Sequence, residues 1–132
     1  MYPTLQAGDS YLVERIFTPG NLQRGQIVVC RLRGDRDTIV KRIVGLPYET
    51  VQFKDRAVYI HGQPLREPYL PCNVTTLAPR KEPTFRLRKD EYVVLGDNRA
   101  VSDDSRTFGI VHRKEIVGVL IRYDQVVSFA KQ

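Results

Sequence analysis

Tryptophan is absent from the chain, methionine occurs once, and histidine and cysteine occur twice each. Each scarcity narrows the range of functions. Two cysteines, Cys30 and Cys72, are too few for a disulfide-dense scaffold. Neither belongs to a CxxC pair or to a Cys/His cluster, which argues against a zinc site, and no cofactor or metal is expected. Cys30 closes the apolar run Ile27-Val28-Val29-Cys30, where a buried free thiol is the default. Cys72 falls in a loop-like stretch, and a bond between the two stays open. His61 and His112 are far apart and lack acidic neighbours, which argues against a Ser-His-Asp triad. No glycine-rich phosphate loop is visible. No apolar run approaches the ~20 residues that cross a bilayer.

What is present reads as one globular domain. The chain has 132 residues, 42% hydrophobic and 27% charged. Its net charge is +6. Such a balance fits nucleic-acid binding, attraction to anionic lipid head groups at about 1 kcal/mol per nearby Lys or Arg, or simple solubility. The basic residues are scattered. The densest run, Arg80, Lys81, Arg86, Arg88 and Lys89, is interrupted by Glu82, Pro83 and Asp90. Nucleic acid is therefore not expected as a partner. An anionic membrane surface is.

Short runs rich in Val, Ile and Tyr, separated by turn residues, dominate the pattern. They cover Tyr11 to Val13, Ile27 to Leu32, Thr38 to Val44, Val51 to Phe53, Ala57 to Ile60, Tyr92 to Leu95 and Ile116 to Tyr123. Lys54-Asp55-Arg56 reads as a tight hairpin turn, closed off by His61-Gly62-Gln63-Pro64. Pro and Gly recur too often for long helices. The expected class is all-β, with antiparallel sheets and a barrel-like or sandwich core. A single domain is expected over 1–132, with a core of 1–60 and 90–124. Residues 61–89, rich in Pro, Thr and charge, read as an irregular insertion. The sequon Asn73-Val74-Thr75 carries no functional weight.

Two segments could hold chemistry. Lys41 lies inside an apolar strand. Alternation puts Ile39, Lys41 and Ile43 on one face and Val40, Arg42 and Val44 on the other. An edge-strand lysine that snorkels to water is the plain reading. A desolvated lysine is the functional one. Burial disfavours the ammonium form, and a neutral amine can act as a general base. The second segment, Gly96 to Arg106, carries three aspartates, two arginines and two serines directly after an apolar strand. It reads either as a solvated loop with Asx-turns or as a paired Asp–Arg network that holds a functional loop rigid.

Taken in order, these segments resemble the type I signal peptidase family. Met1-Tyr2-Pro3-Thr4-Leu5 with Gly8-Asp9 is similar to the family's first motif, in which a serine precedes the methionine. Arg24-Gly25-Gln26 resembles Arg-Gly-Asp, with Gln26 in place of the acid. Val40-Lys41-Arg42-Ile43-Val44-Gly45-Leu46-Pro47 resembles the lysine motif, with Tyr48 where glycine is common. Gly96-Asp97-Asn98-Arg99 with Ser102, Asp104, Ser105 and Arg106 resembles the last, and Ala100-Val101 departs from its usual polar pair.

The resemblance implies a serine–lysine endopeptidase that removes signal peptides from exported preproteins, at the outer face of a bacterial membrane. It implies Lys41 as general base and Ser102 as the residue that orients it. Asp97 with Arg99, and Asp104 with Arg106, would brace the loop. The signal peptide would lie extended beside Thr38, Ile39 and Val40, with shallow apolar pockets near Met1 and Leu5 as well. A monomer is expected. The family serine would precede Met1, so the chain as given is expected to be inactive. A fragment starting just after the serine, a pseudo-peptidase that binds signal sequences, and a repressor-type self-cleaving relative are the three readings; Gly-Asp-Asn-Arg speaks against the last.

Overall fold

The computed structural model describes residues 1–15 and 21–121. The apolar runs form strands: β1 (Leu12–Arg15), β2 (Ile27–Cys30), β3 (Ile39–Gly45), β4 (Thr50–Lys54), β5 (Ala57–Ile60), β6 (Gln63–Pro64), β7 (Thr84–Arg86), β8 (Glu91–Leu95), β9 (Val111–His112) and β10 (Ile116–Ile121). One helical turn, α1 (Ser105–Phe108), and a 3₁₀ turn at Arg113–Glu115 complete the described elements. The expected end of the last strand, residues 122 and 123, lies outside the described residues.

Two antiparallel sheets result. The larger runs β1-β10-β2-β3-β8-β9 and the smaller β6-β5-β4-β7. Residues 61–89 are less irregular than their composition implies. They supply β6 and β7, which pair with β5 and β4, strands expected to belong to the core. The smaller sheet thus begins at Thr50. A three-residue strand after Pro83 is too short to show a period, and only its partner β4 makes it a strand.

The central strands are buried on both faces, which is why their sequences run apolar without alternation. Val44, Val93 and Leu95 enter a cluster between the sheets with Val51, Phe53, Val58, Phe85 and Leu87. Ile43, Tyr92 and Val94 face the other way, into a cluster with Val28, Cys30, Val111 and Ile116. Phe53 and Phe85 meet edge to face, with centroids 6.0 Å apart. Cys30 is a buried free thiol and Cys72 an exposed one, so the two are not bonded. Burial pushes the Cys30 thiol up to about 12, which keeps it inert.

Gly45 ends β3 at a register shift. A side chain there would start 2.6 Å from Val51 Cγ2, so only glycine lets β3 cross the smaller sheet. Before Gly45, β3 sets up the site: it pairs with β2 from Ile39 onward, but with β8 only from Arg42 onward. Ile39, Val40 and Lys41 therefore carry no strand on their β8 side among the described residues.

Candidate active site

Lys41 and Ser102, 61 positions apart, come together: Lys41 Nζ donates to Ser102 Oγ at 3.0 Å. Both are half-buried, so Lys41 is less enclosed than expected. Gly96 makes the approach feasible. A Cβ at position 96 would fall 2.0 Å from Ser102 Oγ and 3.4 Å from Lys41 Nζ. The Met1 amino group is near as well. Burial first, and then the charge of Lys41, lower its pKa, while Asp97 works in the opposite direction.

Asp97 links three segments. It accepts from Arg42 Nε at 2.9 Å and Arg42 Nη2 at 2.6 Å, and from the Thr4 hydroxyl. Its backbone N–H donates to Met1 Sδ at 3.4 Å. Arg42 also donates to the Gly25 carbonyl at 2.7 Å and lies 3.9 Å from the centre of the Tyr69 ring. Arg42 thus fixes the strand that carries Lys41, while Thr4 fixes the segment that begins at Met1. Asp97 was expected to pair with Arg99, and it does not. The Arg99 N–H donates to the Asp97 carbonyl at 2.9 Å, a tight local turn, and the two side chains take different partners. The guanidinium of Arg99 is fully buried against Glu67 and Thr76.

Asp104 and Arg106 pair as expected. Asp104 caps α1 by accepting from the Arg106 N–H at 3.1 Å. It accepts from Arg106 Nε and Nη2 at 2.9 Å each, and from the Gly96 N–H at 3.1 Å. Burial acts to raise its pKa, but Arg106 and the two N–H donors more than offset that, and the carboxyl ends below its usual value. Ser105 Oγ accepts from Val94 N–H at 2.9 Å. The loop bearing Ser102 is therefore pinned to the end of β8 at Val94 and at Gly96.

The departures from the family wording have local explanations. Gln26 Oε1 accepts from the Gln23 N–H at 2.8 Å, an acceptor's task that its amide performs as an acid would. Tyr48 has φ of 67°, a left-handed conformation in which glycine is the unstrained residue. Arg24 forks onto Glu49 at 2.7 and 2.5 Å, which ties the second motif to the loop after Gly45.

Among the other expected site residues, Thr38 is exposed just ahead of β3, Ile39 and Val40 are half-buried on it, and Leu5 is half-buried with its N–H donating to the Met1 carbonyl at 3.1 Å. Sequence reasoning missed Thr4, Arg42, Glu67, Tyr69 and Thr76 as parts of the site. Arg42 carried a signal, as a charge beside Lys41 in an apolar strand. Glu67, Tyr69 and Thr76 carried none.

Comparison with known proteins agrees with this architecture. Residues 1–123 match the family model described as signal peptidase, peptidase S26, a group of peptidase hydrolases. The chain is 35% identical over 133 residues to Signal peptidase IB of Staphylococcus aureus, covering 89% of this chain and 69% of that protein. It is 36% identical over 131 residues to Signal peptidase I V of Bacillus subtilis, covering 91% and 77%. The crystal structure of a signal peptidase I from Enterococcus faecalis matches with a TM-score of 0.63 and 34% identity, over 77% of this chain and 98% of that one. This chain belongs to the type I signal peptidase family.

Proposed function

We propose that the intact protein is a serine–lysine endopeptidase that removes signal peptides from exported preproteins on the extracytoplasmic face of the bacterial membrane. The observation that carries this reading is the 3.0 Å contact of Lys41 Nζ with Ser102 Oγ, beside the half of β3 that has no strand on its β8 side among the described residues and next to the Met1 amino group. A serine preceding Met1 would emerge where that amino group feels Lys41. Serine needs an adjacent base to become a useful nucleophile. Lys41 is that base, and Ser102 holds its amine in place. The serine oxygen attacks the carbonyl carbon after a small residue, and its proton passes to Lys41 Nζ. The C–N bond breaks as Lys41 returns the proton to the leaving amine, and water then releases the acyl group.

The signal peptide adds a strand along Thr38, Ile39 and Val40 by main-chain pairing. Apolar side chains around Met1, Leu5, Ile39 and Val40 receive small substrate residues. The +6 charge favours an anionic membrane surface. No helix among the described residues is long and apolar enough to cross a membrane.

The test has two parts. In the intact protein, Lys41→Ala should remove turnover of a signal-peptide substrate while the fold survives; near-normal rates would end the dyad assignment. The codon before Met1 in the native gene should encode serine, and an unrelated codon there would favour a signal-sequence-binding pseudo-peptidase.

A further inference from the structure

The segment between β6 and β7 reaches the site through Glu67, Tyr69 and Thr76. Glu67 and Arg99 form a two-bond pair, Nη1 to Oε1 at 3.0 Å and Nη2 to Oε2, with the Arg99 side chain fully buried and that of Glu67 nearly so. The Tyr69 hydroxyl donates to Glu67 Oε2 at 2.6 Å, and Arg99 Nη1 also donates to Thr76 Oγ1 at 2.7 Å. Burial raises the Tyr69 pKa well above the usual phenol value, and its bond to Glu67 raises it further. Its hydroxyl therefore remains the donor.

The third Arg99 nitrogen, Nε, donates to the Gly96 carbonyl at 3.0 Å. Arg106 Nη2 in turn donates to the Arg99 carbonyl at 3.0 Å. Gly96 is the residue over which Ser102 and Lys41 meet, with no room for even a methyl group. A guanidinium is a rigid planar fork, so Glu67 on one side dictates where Nε points on the other. A displacement there passes through one carbonyl to the Ser102–Lys41 contact.

We propose that Glu67 is a positioning residue for the peptidase reaction, acting through Arg99 and Gly96 on the geometry of Ser102 and Lys41, with Tyr69 and Thr76 holding it in place. The inference rests on the serine–lysine reading given above. It assigns the segment outside the family motifs a part in turnover.

Steady-state kinetics of the intact protein on a signal-peptide substrate, well below each variant's melting temperature, tests it. Small misplacements of catalytic groups can cost about 10²-fold in rate. Glu67→Gln, which keeps shape and loses charge, should lower kcat by about that factor with KM within about twofold. Tyr69→Phe keeps the ring on Arg42 and removes only the hydroxyl, and Thr76→Val removes the hydroxyl that accepts from Arg99 Nη1. Both should fold, and both should lower kcat by smaller factors in the same direction. Unchanged kcat in all folded variants, with only a lower melting temperature, would overturn the proposal. So would a raised KM at unchanged kcat, which would place Glu67 in substrate binding. Lys41→Ala run alongside separates the two readings: activity retained there overturns the dyad and this inference with it. Activity lost there but normal in Glu67→Gln overturns the inference alone.

Discussion

Gly96 is the smallest feature on which the site depends. Its missing side chain is the space that Ser102 Oγ occupies, since a Cβ would lie 2.0 Å from that oxygen and 2.6 Å from Ser102 Cβ. Gly96→Ala must push Ser102 off Lys41. Overpacking of this kind costs roughly 1–3 kcal/mol of stability, and the lost alignment should cost the intact enzyme about 10²-fold in kcat/KM. Thermal melting and steady-state rates on one preparation would check both. Asp104 makes a different prediction. Its folded pKa lies below the unfolded value of about 3.9. Its stabilisation is therefore complete above that value and is lost as pH falls through the folded pKa. Asp104→Asn leaves Arg106 without its buried carboxylate and should cost about 3 kcal/mol at neutral pH. The gap between wild type and variant should close below about pH 4. Urea titrations at a series of pH values would show it, and a constant gap would contradict the assigned role.

At the scale of elements, Phe53 on β4 and Phe85 on β7 hold the smaller sheet to the larger one. Phe53→Ala should cost about 3–5 kcal/mol, read from a denaturant midpoint. This packing also explains what could be read in the sequence and what could not. The long strands were legible because β2, β3, β8 and β10 are rich in Val, Ile and Leu and are bounded by turn residues. Lys41 stood out as a charge in an apolar strand and residues 96–106 as a dense charged loop, whereas Ser102 was singled out within that loop only by the family resemblance. β7 was not legible, because Thr84-Phe85-Arg86 becomes a strand only against β4. The partner of Asp97 was misread for a related reason. Arg99 is close in sequence, but the turn that brings their backbones together gives the side chains different neighbours, and the ion pair forms with Arg42, 55 positions away. Glu67, between Arg66 and Pro68, had no local signal, since its meaning lies in a buried partner 32 positions on.

For the whole molecule, the question is whether the two sheets behave as one body. Val44, Val93 and Leu95 of the larger sheet share a cluster with Val51, Phe53, Val58 and Phe85 of the smaller one. Three ion pairs add to this, two of them with a buried member. Arg24–Glu49 and Arg99–Glu67 join distant parts of the chain, and Arg42–Asp97 sits between the strand of Lys41 and the loop of Ser102. Separating the sheets would expose the cluster and strand a charged Arg99 without its carboxylate, a loss of several kcal/mol for the ion alone. A half-folded state thus gives up nearly everything that either half gains. The chain should therefore unfold in one cooperative step. Calorimetric and van't Hoff enthalpies should agree, and near-ultraviolet circular dichroism from the tyrosines should lose signal together with the far-ultraviolet strand signal. Two resolved transitions would mean that the smaller sheet is an independent unit. That result would also weaken the case for Glu67, because a segment that can melt while the catalytic loop stays folded is a poor clamp on Arg99.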